Sequence, residues 1–398
     1  MDRALRAVVI GAGWAGEGHT KALRHHGVDV AAICARDATV VAAVAARLQI
    51  PEASTDWQAT LRRVRPDVVT LATPATLRSE VVAIAAEMGC HMVCEKPLAS
   101  AGVEAEAMYR LVQEAGIKHA YGACHRYDPS VAWLAELLRD GAIGRLQEVD
   151  GSFRGPARGG PLRPWTWVDS LAAGGGAMNL GFTHSLGMLE QITGRVPVRV
   201  VGEARVRRRR APVVGVVHDL RDLRKGLVKS PTAEEAERLQ WRECDAEFAY
   251  SASMIFATAT ATAADDTTAS EILVRTLNGP GPEPAWPPNG WRFYGETGTL
   301  MAEGSFSLKV SRVASGGALE PLPVPERLTS RLPTVGDDGE NKWAALIGDF
   351  LADVRGEPRG PYPTFLDGWR TQEVIDAIRA GRGWVDVPAA ARGAAAAA

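Results

Sequence analysis

The stretch Ala7-Val8-Val9-Ile10-Gly11-Ala12-Gly13-Trp14-Ala15-Gly16 decides the fold. Four apolar residues read as a short buried strand. A G-x-G-x-x-G loop follows at once, and a helical pattern then runs to about His26. Strand, glycine loop and helix in that order give the motif its meaning. Gly11 allows the tight turn, Gly13 lets a pyrophosphate approach the backbone, and Gly16 lets helix and strand pack closely. The helix N-terminus offers N–H groups and partial positive charge to phosphates. Ala12, Trp14 and Ala15 complete the expected cofactor loop.

Working outward, the pattern repeats. A second strand, 28–34, ends Ile33-Cys34-Ala35-Arg36-Asp37. An acid near this point holds the ribose in NAD-preferring dinucleotide folds, whereas an arginine accommodates a 2′-phosphate. Ala35 occupies the expected acid position and Arg36 follows it, so the lean is to NADP over NAD. Asp37 reads as a helix cap more than a ribose ligand. Helix 39–48, strand 68–72, a helix to Met88, strand 91–94, helix 102–115 and strand 118–123 continue the alternation. This spacing predicts βαβ units and a parallel sheet. Ligands bind beyond the carboxyl ends of such strands. Those ends carry the glycine loop, Thr73-Pro74 and Glu95-Lys96-Pro97. Lys96 therefore places a cation where cofactor and substrate meet.

After His125-Arg126-Tyr127-Asp128-Pro129 the alternation stops. Asp128 with Pro129 predicts a helix start. Ala172-Ala173-Gly174-Gly175-Gly176-Ala177 leads into a helix through Asn179 and His184 that ends at Gly194. Its three glycines admit either a ligand or tight packing. Strand-like runs from 248 to 313, separated by turns, predict an antiparallel sheet and an α+β second half. Segment 211–245 reads as an insertion, with a capping box at Thr232-Ala233-Glu234-Glu235. The basic run 205–210 reads as a solvated strand end. The domains expected are 1–125, 126–388 and an Ala-rich, disordered tail at 389–398.

Composition bounds the function. Of 398 residues, 46% are apolar and 23% charged, and the net charge is −2. That balance gives no electrostatic reason for nucleic acid or an anionic membrane as partner, and no apolar run reaches the roughly eighteen residues of a membrane span. The start, Met1-Asp2-Arg3, does not read as a signal peptide. Cys34, Cys90, Cys94, Cys124 and Cys244 show no zinc-like pairing and read as buried thiols in a reducing cytoplasm. No metal is expected.

Several segments together resemble the Gfo/Idh/MocA oxidoreductases, named for glucose–fructose oxidoreductase, inositol dehydrogenase and a rhizopine-catabolism protein. They are the glycine loop with His19, Ala72-Thr73-Pro74, Glu95-Lys96-Pro97, His125 to Pro129, Ala173 to Gly176 with His184, Tyr294 to Leu300, and Pro363 to Gly368. The resemblance implies an N-terminal Rossmann domain with a doubly wound parallel sheet. It also implies a C-terminal α+β domain whose open, mostly antiparallel sheet forms a homodimer or homotetramer interface. It implies NAD(P) held by Gly11 to Gly16, Arg36, Thr73, Pro74, Glu95 and Lys96. Lys96 would lie near nicotinamide and substrate, with His184 as acid/base.

In the family that histidine often follows an Asp by four residues. Here Leu180 stands four before His184 and Asn179 five before, and counting from Asn-x-Gly points to Thr183 instead. The family's Asn after Thr-Pro is Ala75, and its usual His is Arg78. The chemistry expected is hydride exchange with a secondary alcohol or carbonyl of a sugar, inositol or polyol. Arg126, Trp165, Trp167, Asp169 and Asn179 would line the pocket. Two alternatives stay open. One is internal redox with a recycled cofactor, giving elimination, epimerisation or glycoside cleavage. The other is a cofactor-binding regulator without turnover.

Overall fold

The computed structural model describes residues 3–155, 160–215, 217, 226–258, 271–281, 288–305, 307–314 and 316–389. The expected tail beyond 389 and part of segment 211–245 lie outside the described residues. Two compact units divide the chain: one takes residues up to 127 together with 330–372, the other 128–329 and the residues from 373 on.

The first unit is a six-stranded parallel sheet. Its strands are β1 (Arg6–Ile10), β2 (Asp29–Cys34), β3 (Glu52–Ser54), β4 (Val68–Leu71), β5 (His91–Cys94) and β6 (His119–Tyr121). They lie in the order β3-β2-β1-β4-β5-β6, the order of dinucleotide-binding sheets. The crossovers are α1 (Trp14–His25), α2 (Ala38–Leu48), α3 (Trp57–Val64), α4 (Arg78–Glu87) and α5 (Gly102–Glu114). Asp37 caps α2, its carboxylate accepting from Thr39 N at 2.9 Å and Val40 N at 3.0 Å. Asp56 caps α3 in the same way through Ala59 N, at 2.9 Å. The pair β3 and α3 escapes a pattern reading because β3 has only three residues, Glu-Ala-Ser, as suits a blunted sheet edge.

The compact units divide the chain differently from the expected 126–388 domain. A helix at Asp338–Val354 belongs with the parallel sheet. Its residues Trp343, Leu346, Ile347 and Phe350 are buried with Val9, Leu23, Val30, Ile33, Val68 and Val93. Their i, i+3, i+4, i+7 spacing makes one apolar face, but spacing cannot say which sheet that face covers.

The second unit carries nine strands around a separate core. They are β7 (Leu146–Gly155), β8 (Val196–Arg205), β11 (Ala249–Ala257), β12 (Ile272–Pro280), β13 (Gly290–Gly295), β14 (Thr299–Glu303), β15 (Lys309–Val313), β16 (Leu319–Pro321) and β17 (Val385–Asp386). Their order is β16-β15-β14-β13-β7-β12-β11-β8-β17. Only β12 and β7 run parallel; the other neighbours are antiparallel. A short ribbon, β9 (Arg210–Pro212) with β10 (Trp241–Glu243), stands apart. Helices α6 (Pro129–Arg139) and α7 (Thr183–Thr193) cover one sheet face. Val149, Met254, Phe256, Val274 and Phe293 pack there with Leu186, Leu189 and Ile192. The opposite face is half-exposed, as the alternation along β11 and β12 requires. Both predicted caps are present: Asp128 ahead of Pro129, and the Thr232–Glu235 box that starts α8 (Ala233–Glu237). The helix at Asp338–Val354 is called α9. Among the described residues no helix is long and apolar enough to cross a membrane.

Candidate active site

The glycine loop is built as its spacing requires. A Cβ on Gly16 would stand 1.8 Å from the Gly11 carbonyl oxygen, and Gly11 itself has φ +118°. A Cβ on Gly13 would meet nothing within 4 Å. The middle glycine thus opens on space while its neighbours are packed shut. Among the described residues no side chain caps α1, so its first N–H groups stay available to an anion. Thr73 Oγ1, a buried hydroxyl at the end of β4, has no hydrogen-bond partner among the described residues. An open backbone cradle, an uncapped helix start and an orphan hydroxyl fit a dinucleotide cofactor.

Arg36 follows β2 on the exposed surface, and Asp37 is spent on capping α2. No acid therefore stands in the usual ribose position at the end of β2.

The sheet pairing continues past the strand ends. Ala72 N donates to Ile10 O at 2.7 Å, Glu95 N to Leu71 O at 2.9 Å and Gly122 N to Cys94 O at 2.8 Å. This aligns Thr73, Glu95, Lys96 and the turn after β6 along one rim. Lys96 is half-buried there and Glu95 is buried. Three groups donate to the Glu95 carboxylate: Trp343 Nε1 at 2.6 Å, Lys96 N at 3.1 Å and His19 Nε2, which lies 3.3 Å away. Burial alone would push this carboxyl up. The His19 hydrogen bond and charge, then the charges of Lys96 and Arg78, outweigh it and hold the group below its ordinary value. Glu95 is therefore an ionised, fully engaged anchor beneath Lys96.

Arg78, which stands where the family has histidine, clamps the rim. It is buried, and its guanidinium donates to Thr73 O, Glu95 O and Pro97 O. The two carbonyls flanking Lys96 are thus tied to the neighbouring strand end. Neither Trp343 nor Arg78 is legible as a site residue from local pattern. Arg78 reads as an ordinary helix residue, and Trp343 lies almost 250 positions from Glu95.

In the second unit, a π turn at Met178–Phe182 runs directly into α7. In a π turn residue i+5 stands where i+4 stands in an α-helix. Asn179, five before His184, lies within that π turn. Both side chains are buried. Asn179 Nδ2 donates to Gly175 O at 2.9 Å, while its Oδ1 has no hydrogen-bond partner among the described residues. Thr183, the other candidate, is buried and donates its hydroxyl to Asn179 O at 3.3 Å. It serves the helix backbone.

The glycines before this helix serve packing. A Cβ on Gly175 would stand 2.3 Å from Val168 O, and one on Gly176 would stand 2.4 Å from Glu247 Oε1. Buried Glu247 accepts from Met178 N at 3.1 Å and from Arg379 Nε and Nη2, each at 3.2 Å.

Two expected pocket residues are otherwise engaged. Asp169 is fully buried, with Oδ1 held by Arg163 at 2.5 Å and Arg208 at 2.7 Å and Oδ2 accepting Thr166 N at 3.0 Å. Asp169 thus forms an ion-pair hub with Arg163 and Arg208. Trp165 donates to Glu243 O at 3.0 Å, with the Arg242 guanidinium 3.8 Å from its ring centroid. It ties its loop to β10. Arg126 is half-buried in the first unit, near Asp367. Burial pushes the Asp367 carboxyl up, but Arg370, Arg126 and Thr364 bring it below its ordinary value.

Comparison with known proteins matches residues 5–122 to an oxidoreductase family with an NAD-binding Rossmann fold, and residues 131–301 to the GFO/IDH/MocA C-terminal domain. The chain belongs to the Gfo/Idh/MocA family. Levoglucosan dehydrogenase of Pseudarthrobacter phenanthrenivorans is 33% identical over 156 residues, covering 39% of this chain and 40% of that protein. Inositol 2-dehydrogenase of Corynebacterium glutamicum is 30% identical over 162 residues, covering 40% and 48%. An uncharacterised oxidoreductase of Synechocystis is 24% identical over 396 residues, covering 96% of each. The chain thus matches only 40% and 48% of the length of the two named dehydrogenases. Among solved structures, levoglucosan dehydrogenase in complex with NADH and L-sorbose superposes with a TM-score of 0.75. It is 22% identical and covers 97% of this chain and 99% of that one. An oxidoreductase domain protein from Kribbella flavida gives 0.75 at 23% identity, with the same coverage. These likenesses establish the Gfo/Idh/MocA fold.

Proposed function

We propose that this protein is an oxidoreductase acting on a secondary alcohol or carbonyl of a sugar, inositol or related polyol. Bound NAD(P) supplies the hydride acceptor or donor. The single observation that carries the reading is the presentation of Lys96: half-buried at a strand end, above ionised Glu95 and between two carbonyls held by Arg78. Relatives named levoglucosan dehydrogenase, D-glucoside 3-dehydrogenase and inositol 2-dehydrogenase support the substrate class.

The residue roles follow from charge. The Lys96 ammonium stabilises the oxygen as it gains alkoxide character. His184 takes or returns the hydroxyl proton, work that suits an imidazole near neutral pH. Gly11 to Gly16 and the start of α1 hold the pyrophosphate, and Thr73 and Pro74 border the nicotinamide. Arg36 meets the 2′-phosphate, which favours NADP, and a relative named D-xylose 1-dehydrogenase (NADP(+)) 2 is consistent with that choice. Asn179 orients the substrate or His184, and Arg126 lies at the pocket margin.

Purified protein is assayed with NADP⁺ and NAD⁺ against levoglucosan, myo-inositol, D-xylose and alkyl glucosides. Reduced cofactor should appear with at least one of them. Lys96→Ala should lose about 10²-fold or more in kcat while still binding NADPH, and Arg36→Ala should lose the preference for NADP. Undiminished turnover in Lys96→Ala would overturn the assignment.

A further inference from the structure

Lys342 is the one lysine among the described residues whose side chain is fully buried, and no step above uses it. It lies on α9, in the same unit as the parallel sheet. Its Nζ is 2.7 Å from Asp338 Oδ2, one helical turn earlier, and 3.3 Å from His125 Nδ1. Asp338 is largely exposed and His125 is half-buried. A buried ammonium is costly unless paired and hydrogen-bonded, so the two contacts explain why Lys342 is tolerated there.

The contact with His125 fixes more than position. An ammonium has three donors and no acceptor. Nδ1 must therefore offer its lone pair, and in a neutral imidazole the proton then sits on Nε2. Protonating Nδ1 as well would break this hydrogen bond and set two cations 3.3 Å apart.

The chain places His125 at the carboxyl rim. It lies in the turn Cys124–Tyr127 directly after β6, whose pairing with β5 continues to Gly122. The neighbouring Cys124 thiol is pushed up by burial and by Glu95, and drawn down by Lys342 and Lys96. The β6 turn, Glu95, Lys96 and Lys342 therefore share one electrostatic neighbourhood.

We propose that Lys342 is a positioning residue that locks His125 as the neutral Nε2–H tautomer, and that His125 is a second hydrogen-bond donor, beside Lys96, for the reacting oxygen of the substrate. His125 takes no proton in this role, since Nδ1 is occupied. It only stabilises negative charge as it develops. The donor role rests on the hydride-transfer reading; the tautomer does not.

The two parts are tested separately on the full chain. Histidine ¹⁵N NMR near neutral pH, with His125→Gln for assignment, should show His125 unprotonated at Nδ1 and protonated at Nε2. Lys342→Met, which keeps length and burial, should turn it into a tautomer mixture. A protonated Nδ1 in the parent protein, or an unchanged spectrum in Lys342→Met, overturns the lock. On a substrate that the panel turns over, His125→Leu should lose about 10²-fold in kcat. His125→Gln, which keeps a donor, should lose less, and NADPH affinity should hold in both. Equal rates for His125→Leu and the parent overturn the donor role. A panel with no turnover counts against the hydride-transfer reading, while the NMR result judges the lock on its own.

Discussion

Trp343 Nε1 donates to Glu95 Oε1 across 2.6 Å. A residue of the C-terminal half thereby fixes the acid beneath the lysine of the sheet rim. The same indole lies 4.8 Å, centroid to centroid, from Trp14 of the glycine loop and 5.5 Å from the His19 ring. One side chain thus braces two of the segments that carry the family resemblance, the glycine loop with His19 and Glu95-Lys96-Pro97.

Trp343→Phe should keep most of the packing and remove that donor. Leaving a buried carboxylate short of one partner costs about 1–3 kcal/mol. Urea denaturation measures the loss. The parent carboxyl is held below its ordinary value, so its stabilising contribution is complete above that value and disappears as pH falls through the lower, folded-state one. Glu95→Gln should therefore be less stable than the parent at pH 7, with the gap closing below about pH 4.5. A gap that stays constant down to acid pH would contradict an ionised Glu95.

His119 supplies a second acid-side dependence, with a different window. It is buried at the start of β6, with Nδ1 accepting from Phe365 N at 3.1 Å. Burial lowers its imidazole to about 4 from an ordinary 6.5. Between those values the unfolded chain binds a proton that the folded chain refuses, so stability falls as pH falls. One group shifted this far contributes at most about 3 kcal/mol across that window. His119→Asn should flatten the stability curve between about pH 6.5 and pH 4, as read by thermal melts in matched buffers.

Arg78 invites a charge-preserving test. Lys cannot reproduce a planar fork that reaches several carbonyls. Arg78→Lys should leave the sheet folded but loosen Thr73 and the residues around Lys96. The expected result is a fall of about 10-fold or more in kcat, with a smaller rise in KM for the cofactor. An unchanged kcat would show that the rim holds its geometry without the clamp.

Gly176 and Glu247 form one unit. Gly176→Ala would drive a Cβ into the Glu247 carboxylate at a backbone φ of +100°. The strain of that conformation alone is about 1–3 kcal/mol. Glu247→Ala relieves the clash but leaves Arg379, itself mostly buried, without its partner, at a cost of about 3–5 kcal/mol. Calorimetry of the single and double variants should show strong non-additivity, because both changes act on the same contact.

Local chemistry carried much of the reading. Apolar runs broken by Gly11 to Gly16, Thr73-Pro74 and Glu95-Lys96-Pro97 marked strand ends, since strand length and turn chemistry are short-range properties. Asp37 and Asp128 announced their caps for the same reason. The short edge strand Glu52–Ser54 carries no local mark, because its three residues offer no apolar pattern.

The sequence by itself determined the alternating parallel sheet, the glycine loop and the place of Lys96 at a strand end, because each rests on residues adjacent in the chain. Only the tertiary structure decided that α9 belongs with the first sheet, that Asp169 is neutralised by Arg163 and Arg208, and that Arg78 and Trp343 hold the rim. It also decided that the helix carrying His184 opens with a π turn containing Asn179. Each of these depends on which buried polar groups find partners at a distance. Burial fixes that pairing by making an unmatched donor or charge too costly to keep.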